Sequence, residues 1–123
     1  MKPEKGYQKL QVWTEAHKLV LTIYKLTENF PKSELLALTS QMRRSAVSIP
    51  GNIVEGHAKR SQKDFLRFLN TSNGSLVELE YYLELSPDLG YIKRSEYEEV
   101  EQQQVIVGNL LNGLMKSIRS KIT

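Results

Sequence analysis

The stretch Arg43 to Gly56, RRSAVSIPGNIVEG, decides how this chain is read: it has the rhythm of a helix and contains the residue a helix tolerates least. Pro50 has no backbone N–H, and its ring crowds the carbonyl of Ala46, a defect of roughly 3 kcal/mol in a helix interior. Yet Leu35, Leu38, Met42, Ala46, Ile49 and Ile53 keep spacings of three and four on both sides of it, as one face of a continuous helix does. The spacing predicts a single kinked helix, with Ser45 or Ser48 serving backbone groups that the kink frees. Asn52, Glu55 and Gly56 then place two polar groups and one bare backbone position on adjoining turns.

Outward from this segment the same periodicity predicts four helices. The first covers about 12–30, with Trp13, Ala16, Val20, Ile23, Thr27 and Phe30 as its stripe and Pro31 as its stop. The second covers about 33–58, with Ser33 as N-cap and Lys59-Arg60 closing it with positive charge. Ser61 with Asp64 forms a shortened capping box for a third, about 62–86, whose stripe is Phe65, Leu69, Ser72, Leu76, Leu79 and Leu83. A turn around Pro87, Asp88 and Gly90 follows, and Ser95 with Glu98 caps a fourth, about 96–120, striped by Val100, Gln104, Val107, Leu111, Leu114 and Ile118. Strand-like alternation is absent. The fold class expected is all-α, an up-down-up-down antiparallel four-helix bundle with a proline-kinked second helix, one domain over residues 1–123.

The order Ser48-Ile49-Pro50, Asn52-Ile53, Glu55-Gly56, then Arg60, Phe65, Arg67, Leu69, and Gly74-Ser75 with Glu78, resembles the signature of the bacterial 23S rRNA-intervening-sequence protein family. Val12-Trp13 with Ala16-His17 and Leu19, then Tyr24 and Phe30-Pro31, resembles its first helix, and Leu89-Gly90-Tyr91-Ile92 its last loop. Gly51 departs from the alanine expected there, and Asn73 from a small apolar residue. The resemblance implies homopentameric rings with a central opening. It also implies two contexts: proteins encoded within intervening sequences of large-subunit ribosomal RNA genes, and accessory subunits of reverse transcriptases in diversity-generating retroelements.

Composition bounds the chemistry. With no cysteine, disulfides, thiolate zinc sites and cysteine nucleophiles are excluded, which fits a reducing compartment. The N-terminal residues contain no apolar run of signal-peptide type, and no run is long enough to span a membrane, so a cytoplasmic location is expected. The net charge of +3 is unevenly spread. Residues 41–70 hold six lysines or arginines against two acids, whereas residues 71–104 hold two against eight. Such segregation gives a dipolar surface that suits a polyanion on one side or head-to-tail contact between copies. Val12, Leu19, Leu21, Leu26, Leu36, Leu66, Phe68, Tyr81, Tyr82, Leu85, Val105, Ile106 and Leu110 lie off the main stripes; some widen the core-facing side, and the surplus predicts a second buried face and self-association.

Neither His17 nor His57 has a carboxylate or second histidine four residues on, so no metal site and no cofactor is expected; His17 reads as packing near Trp13, His57 as a surface residue. Glu55, Glu78, Glu80 and Glu84 lack the Glu-x-x-His context of a di-metal bundle, and no arginine is followed four to six residues later by histidine, a spacing used by some helical ribonucleases. The expectation is not an enzyme. Asn52, Glu55, Ser72, Asn73, Ser75 and Glu78, with Gly56 and Gly74, form a polar set on the second and third helices. It reads as a paired seam between close helices rather than a ligand pocket, with Arg43 or Arg44 as counter-charge for Glu55 or Glu78. The basic candidates for nucleic acid, structured RNA first, are Arg43, Arg44, Lys59, Arg60, Lys63 and Arg67, with the last four on one patch. The second reading is a scaffold that meets an acidic protein partner, for example as a reverse-transcriptase subunit.

Overall fold

The computed structural model describes residues 4–122; Met1–Pro3 and Thr123, the ends of the expected 1–123 domain, lie outside the described residues. Four helices carry the fold: α1 (Gln11–Thr27), α2 (Leu38–His57), α3 (Gln62–Asp88) and α4 (Arg94–Ile122), with 3-10 turns at Gly6–Lys9 and Lys32–Glu34. No strand occurs among the described residues. Each helix packs on two neighbours in cyclic order, α1 on α2 and α4, α3 on α2 and α4, and the α2–α3 seam is the most extensive. Side-chain bonds fix the antiparallel sense: Ser45 meets Glu78, Ser48 meets Ser75, and Ser72 meets Ile49.

The core consists of the expected stripes with small rotations. Leu38, Met42, Ala46, Ile49 and Ile53 of α2 are buried, as are Leu69, Leu76, Leu79 and Leu83 of α3 and Val100, Val107, Leu111 and Ile118 of α4. In α1 the buried residues are Val12, Ala16, Leu19 and Ile23, so the stripe sits one position off the expected Trp13 and Val20, which are half-buried at its edge. In α4 Met115 replaces the expected Leu114. Burial of such side chains, at about 1.5–3 kcal/mol each, is the main favourable term.

The ends differ from expectation in three places. α1 stops at Thr27 rather than Phe30, because Glu28 and Phe30 bond back to Lys25 and Thr27 in tight turns, and Phe30 folds under the bundle against Tyr91, ring centroids 5.2 Å apart. Ser33 does not cap α2. Lys32–Glu34 winds as a 3-10 turn, a further turn follows to Ala37 at φ −121° and ψ −104°, and the Leu38 N–H opens α2 by donating to Glu34 Oε1 at 3.4 Å. Leu35 is thereby left 55 % exposed. α3 continues through Pro87 to Asp88 and closes with paired bonds, Tyr91 N–H to the Ser86 carbonyl and Gly90 N–H to the Pro87 carbonyl, a turn for which Gly90 adopts φ +77°. Ser61 caps α3 as expected, accepting from the Asp64 N–H at 3.1 Å. The cap of α4 lies two residues earlier than expected: Lys93 N–H donates to Glu96 Oε1 at 2.9 Å.

α2 runs unbroken through the buried Pro50. Ser45 and Ser48, expected to serve the freed backbone, instead reach across to α3. Gly51 and Gly74 have nothing within 4 Å of where a Cβ would sit. Since alanine outranks glycine in a helix by about 1 kcal/mol, Gly51→Ala and Gly74→Ala are each expected to raise stability by about 0.5–1 kcal/mol. Urea denaturation of both variants checks this, and a loss at Gly74 would mean that the α3 backbone is needed bare for an unseen contact.

Candidate nucleic-acid interface

The α2–α3 turn brings four of the six basic candidates together. Lys59, Arg60 and Lys63 are exposed around the N-terminus of the 27-residue α3, and Arg67 follows one turn later. Phe68 lies between them: Lys59 Nζ sits 5.1 Å and Arg67 Cζ 5.4 Å from its ring centroid. Arg67 also pairs with Asp64 at 3.3 Å; among the described residues Lys59, Arg60 and Lys63 have no carboxylate partner. Free cations beside a helix N-terminus attract anions twice over, through charge and through unpaired N–H groups.

Aromatic side chains share this end of the bundle, and sequence reading did not assign them to it. Gly6 lies against His57, where a Cβ would come 2.8 Å from the imidazole, and His57 meets Phe65 edge-on at 5.9 Å. Beyond Gly6, Tyr7 meets Trp13 edge-on at 5.3 Å and Trp13 stacks on His17 at 5.1 Å, nearly coplanar at 8°. His17 therefore packs near Trp13 as expected, and its imidazole is exposed.

The other two arginines do not join the patch. Arg43 is tied down at the far end of α1: its Nε donates to Thr27 Oγ1 at 2.8 Å, one terminal N–H to the Tyr24 carbonyl at 3.4 Å, and the guanidinium lies 4.7 Å over the Tyr24 ring. Arg44 is exposed on the outer face of α2. Neither forms the expected ion pair with Glu55 or Glu78; the α2–α3 polar seam closes without them. Ser45 Oγ donates to Glu78 Oε1 at 2.5 Å, Ser48 and Ser75 share a bond of 2.7 Å, Asn52 Nδ2 donates to Ser48 Oγ at 3.0 Å, and Ser72 Oγ donates to the Ile49 carbonyl at 2.8 Å. Glu55 and Gly74 are exposed, and Asn73 and Glu55 take no part in these bonds. Gly56 does what the seam reading requires: it is buried, and its bare Cα lies against Phe65 and Phe68.

Opposite, where α3 meets α4, a polar bond links the loops. Tyr91 Oη donates to Glu34 Oε2 at 2.6 Å, and this bond, with partial burial and the carboxylate's charge, raises the Tyr91 pKa above its ordinary value. Tyr97 is raised by its bond to Glu101 and Tyr82 by burial and the charge of Glu78. Because the folded values exceed the unfolded one, this stabilisation is complete below about pH 10 and is lost as pH rises through the folded values. Stability is thus expected to fall above about pH 10, and less so in Tyr91→Phe, as urea denaturation across alkaline pH would reveal; identical pH profiles would remove Tyr91 from the linkage.

The model of the 23S rRNA-intervening sequence protein family matches residues 8–113, from the first 3-10 turn through most of α4. The chain belongs to that family. This family member superposes on the crystal structure of a protein of unknown function from the S23 ribosomal protein family of Bacteroides thetaiotaomicron, with a TM-score of 0.79 and 28 % identity over 85 % of this chain and 95 % of that one. No curated protein matches it. Within the family fold, no helix among the described residues is long and apolar enough to cross a membrane.

Proposed function

We propose that this protein is a non-enzymatic, homo-oligomeric helical bundle of the cytoplasm that binds structured RNA through the α2–α3 end. The observation that carries the proposal is the group of Lys59, Arg60 and Lys63, exposed together without a carboxylate partner at the start of α3, with Lys59 and Arg67 against the Phe68 ring. Phosphate contacts by such residues release counterions, and nearby rings offer faces to unstacked bases. The family description names 23S rRNA, which makes a hairpin from such an intervening sequence the first probe. A pentameric ring, which the resemblance implies, would repeat the patch about an axis and multiply weak contacts. The large apolar side chains left exposed, Leu36 at 92 % above all, support self-association.

The test is a mobility shift of labelled hairpin RNA across ionic strength, with light scattering on the same sample. Affinity that falls steeply and linearly in log salt supports the reading; no shift at low salt overturns it. The second reading, a scaffold or reverse-transcriptase subunit, is favoured by the open groove on α1 and α2, lined by Tyr24, Leu35, Leu36 and Val47. Co-purification of a protein without an RNA shift would select it.

A further inference from the structure

The outer faces of the bundle are unlike on its two sides. On α2, Ser40, Arg43, Arg44 and Val47 line an open groove with Leu35 and Leu36, and no carboxylate lines it. On α3, the spacing of Val77, Glu80, Tyr81 and Glu84 puts them on one flank, and Val77 and Tyr81 are 56 % and 60 % exposed. Glu80 and Glu84 then line a pocket of about 300 Å³ with Tyr97, Glu101, Gln104 and Val105 of α4. One side is apolar with Arg44 as its free cation, the other apolar with Glu80 and Glu84 as free anions.

The α3–α4 pocket is also short of a donor. Gln104 is 3 % exposed, its side chain lines the pocket, and its Oε1 has no hydrogen-bond partner. A buried acceptor of this kind is costly if left alone. The three glutamates add further acceptors, while the Tyr97 hydroxyl is already spent on Glu101 at 2.9 Å. No three acidic or histidine side chains among the described residues are grouped to hold a metal ion. An acceptor-rich pocket with an apolar rim fits a guanidinium, which brings five donors and no acceptor and is weakly hydrated. On the opposite face, Arg44 is exposed and unpaired, with Leu35, Leu36 and Val47 around it.

We propose that the α3–α4 pocket is completed by a second copy of this chain, whose Arg44 enters between Glu80, Glu84 and Glu101 beside Gln104 while Leu36 and Val47 cover Tyr81, Val77 and Val105. Because the two surfaces lie on different sides of one molecule, the contact is head-to-tail, and a head-to-tail contact closes into a ring when its rotation permits. This rests on the homo-oligomer reading above and specifies which surfaces meet.

Analytical ultracentrifugation of the full chain tests it. Arg44→Glu sets like charge against the pocket, and the dissociation constant is expected to rise about a hundredfold or more. The same chain with Glu80→Lys and Glu84→Lys added restores attraction and is expected to reassemble. Leu36→Asp is expected to dissociate the assembly independently, with an unchanged helical spectrum. If Arg44→Glu and Leu36→Asp both assemble like wild type, this pairing of faces is wrong while self-association stands. Wild-type protein that sediments as a monomer at all concentrations overturns self-association itself and this contact with it.

Discussion

Gly56→Ala is expected to lower the melting temperature by about 4–8 °C, which corresponds to about 1–2 kcal/mol for a domain of this size. The reason is local. A Cβ at this position would sit 2.8 Å from Phe68 Cβ, 2.9 Å from Phe65 Cδ1 and 3.3 Å from the Phe65 carbonyl oxygen. Phe65 can rotate its ring, but Phe68 Cβ and the Phe65 carbonyl are a first side-chain atom and a backbone atom of α3, so the start of α3 itself has to move. Overpacking of this kind costs typically about 1–3 kcal/mol, and the better helix propensity of alanine returns up to about 1 kcal/mol. Gly56→Val, which adds two methyl groups beyond alanine and branches at Cβ, should cost about 3 kcal/mol or more. Thermal melts by circular dichroism read both values. A Gly56→Ala melt at or above wild type would mean that the α2–α3 contact relaxes freely, contrary to the packing described.

The second large effect concerns function. Simultaneous Lys59→Ala, Arg60→Ala and Lys63→Ala is expected to weaken binding of hairpin RNA about a hundredfold or more at low salt and to reduce the slope of log affinity against log salt by about three. Stability should barely change, because all three side chains are exposed and none has a carboxylate partner, and surface substitutions of this type stay within about 0.5 kcal/mol. Arg43→Ala is the useful contrast. It breaks the bonds to Thr27 and Tyr24, so about 1 kcal/mol of stability should go while RNA affinity stays. Unchanged affinity and slope in the triple variant would move the RNA site away from the α2–α3 end.

Much of this architecture is legible in the sequence because the apolar spacing of α2, α3 and α4 is strong, and a buried proline does not interrupt it. Leu38, Met42, Ala46, Ile49 and Ile53 are inside as their period demands. The start of α2 is not legible for a physical reason: Ser33 and Leu35 mimic a cap and a first core residue, and only the backbone of Ala37 shows that the helix begins later. The one-residue rotation of α1 is similar, since Trp13 is apolar enough to claim the core but lies at its edge against Tyr7 and His17. The basic patch could be placed from Lys59, Arg60, Lys63 and Arg67 alone, because they are neighbours along the chain. Arg43 could not, since its role depends on Thr27 and Tyr24 from another helix. The α3–α4 pocket likewise exists only once Glu80 and Glu84 face Glu101 and Gln104.

The polar bonds between α2 and α3 contribute alignment more than strength. Ser45 with Glu78, Ser48 with Ser75, and Ser72 with the Ile49 carbonyl all satisfy one register of two antiparallel helices. A slip of one turn would carry Glu78 toward Ile49, where a carboxylate meets an apolar side chain and no donor. The leucines of the same seam are interchangeable enough to tolerate such an error; the hydroxyls are not. They act as a vernier scale between two otherwise greasy rods, so that the end carrying Lys59 and Phe68 and the flank carrying Glu80 keep a fixed offset from one another in every molecule.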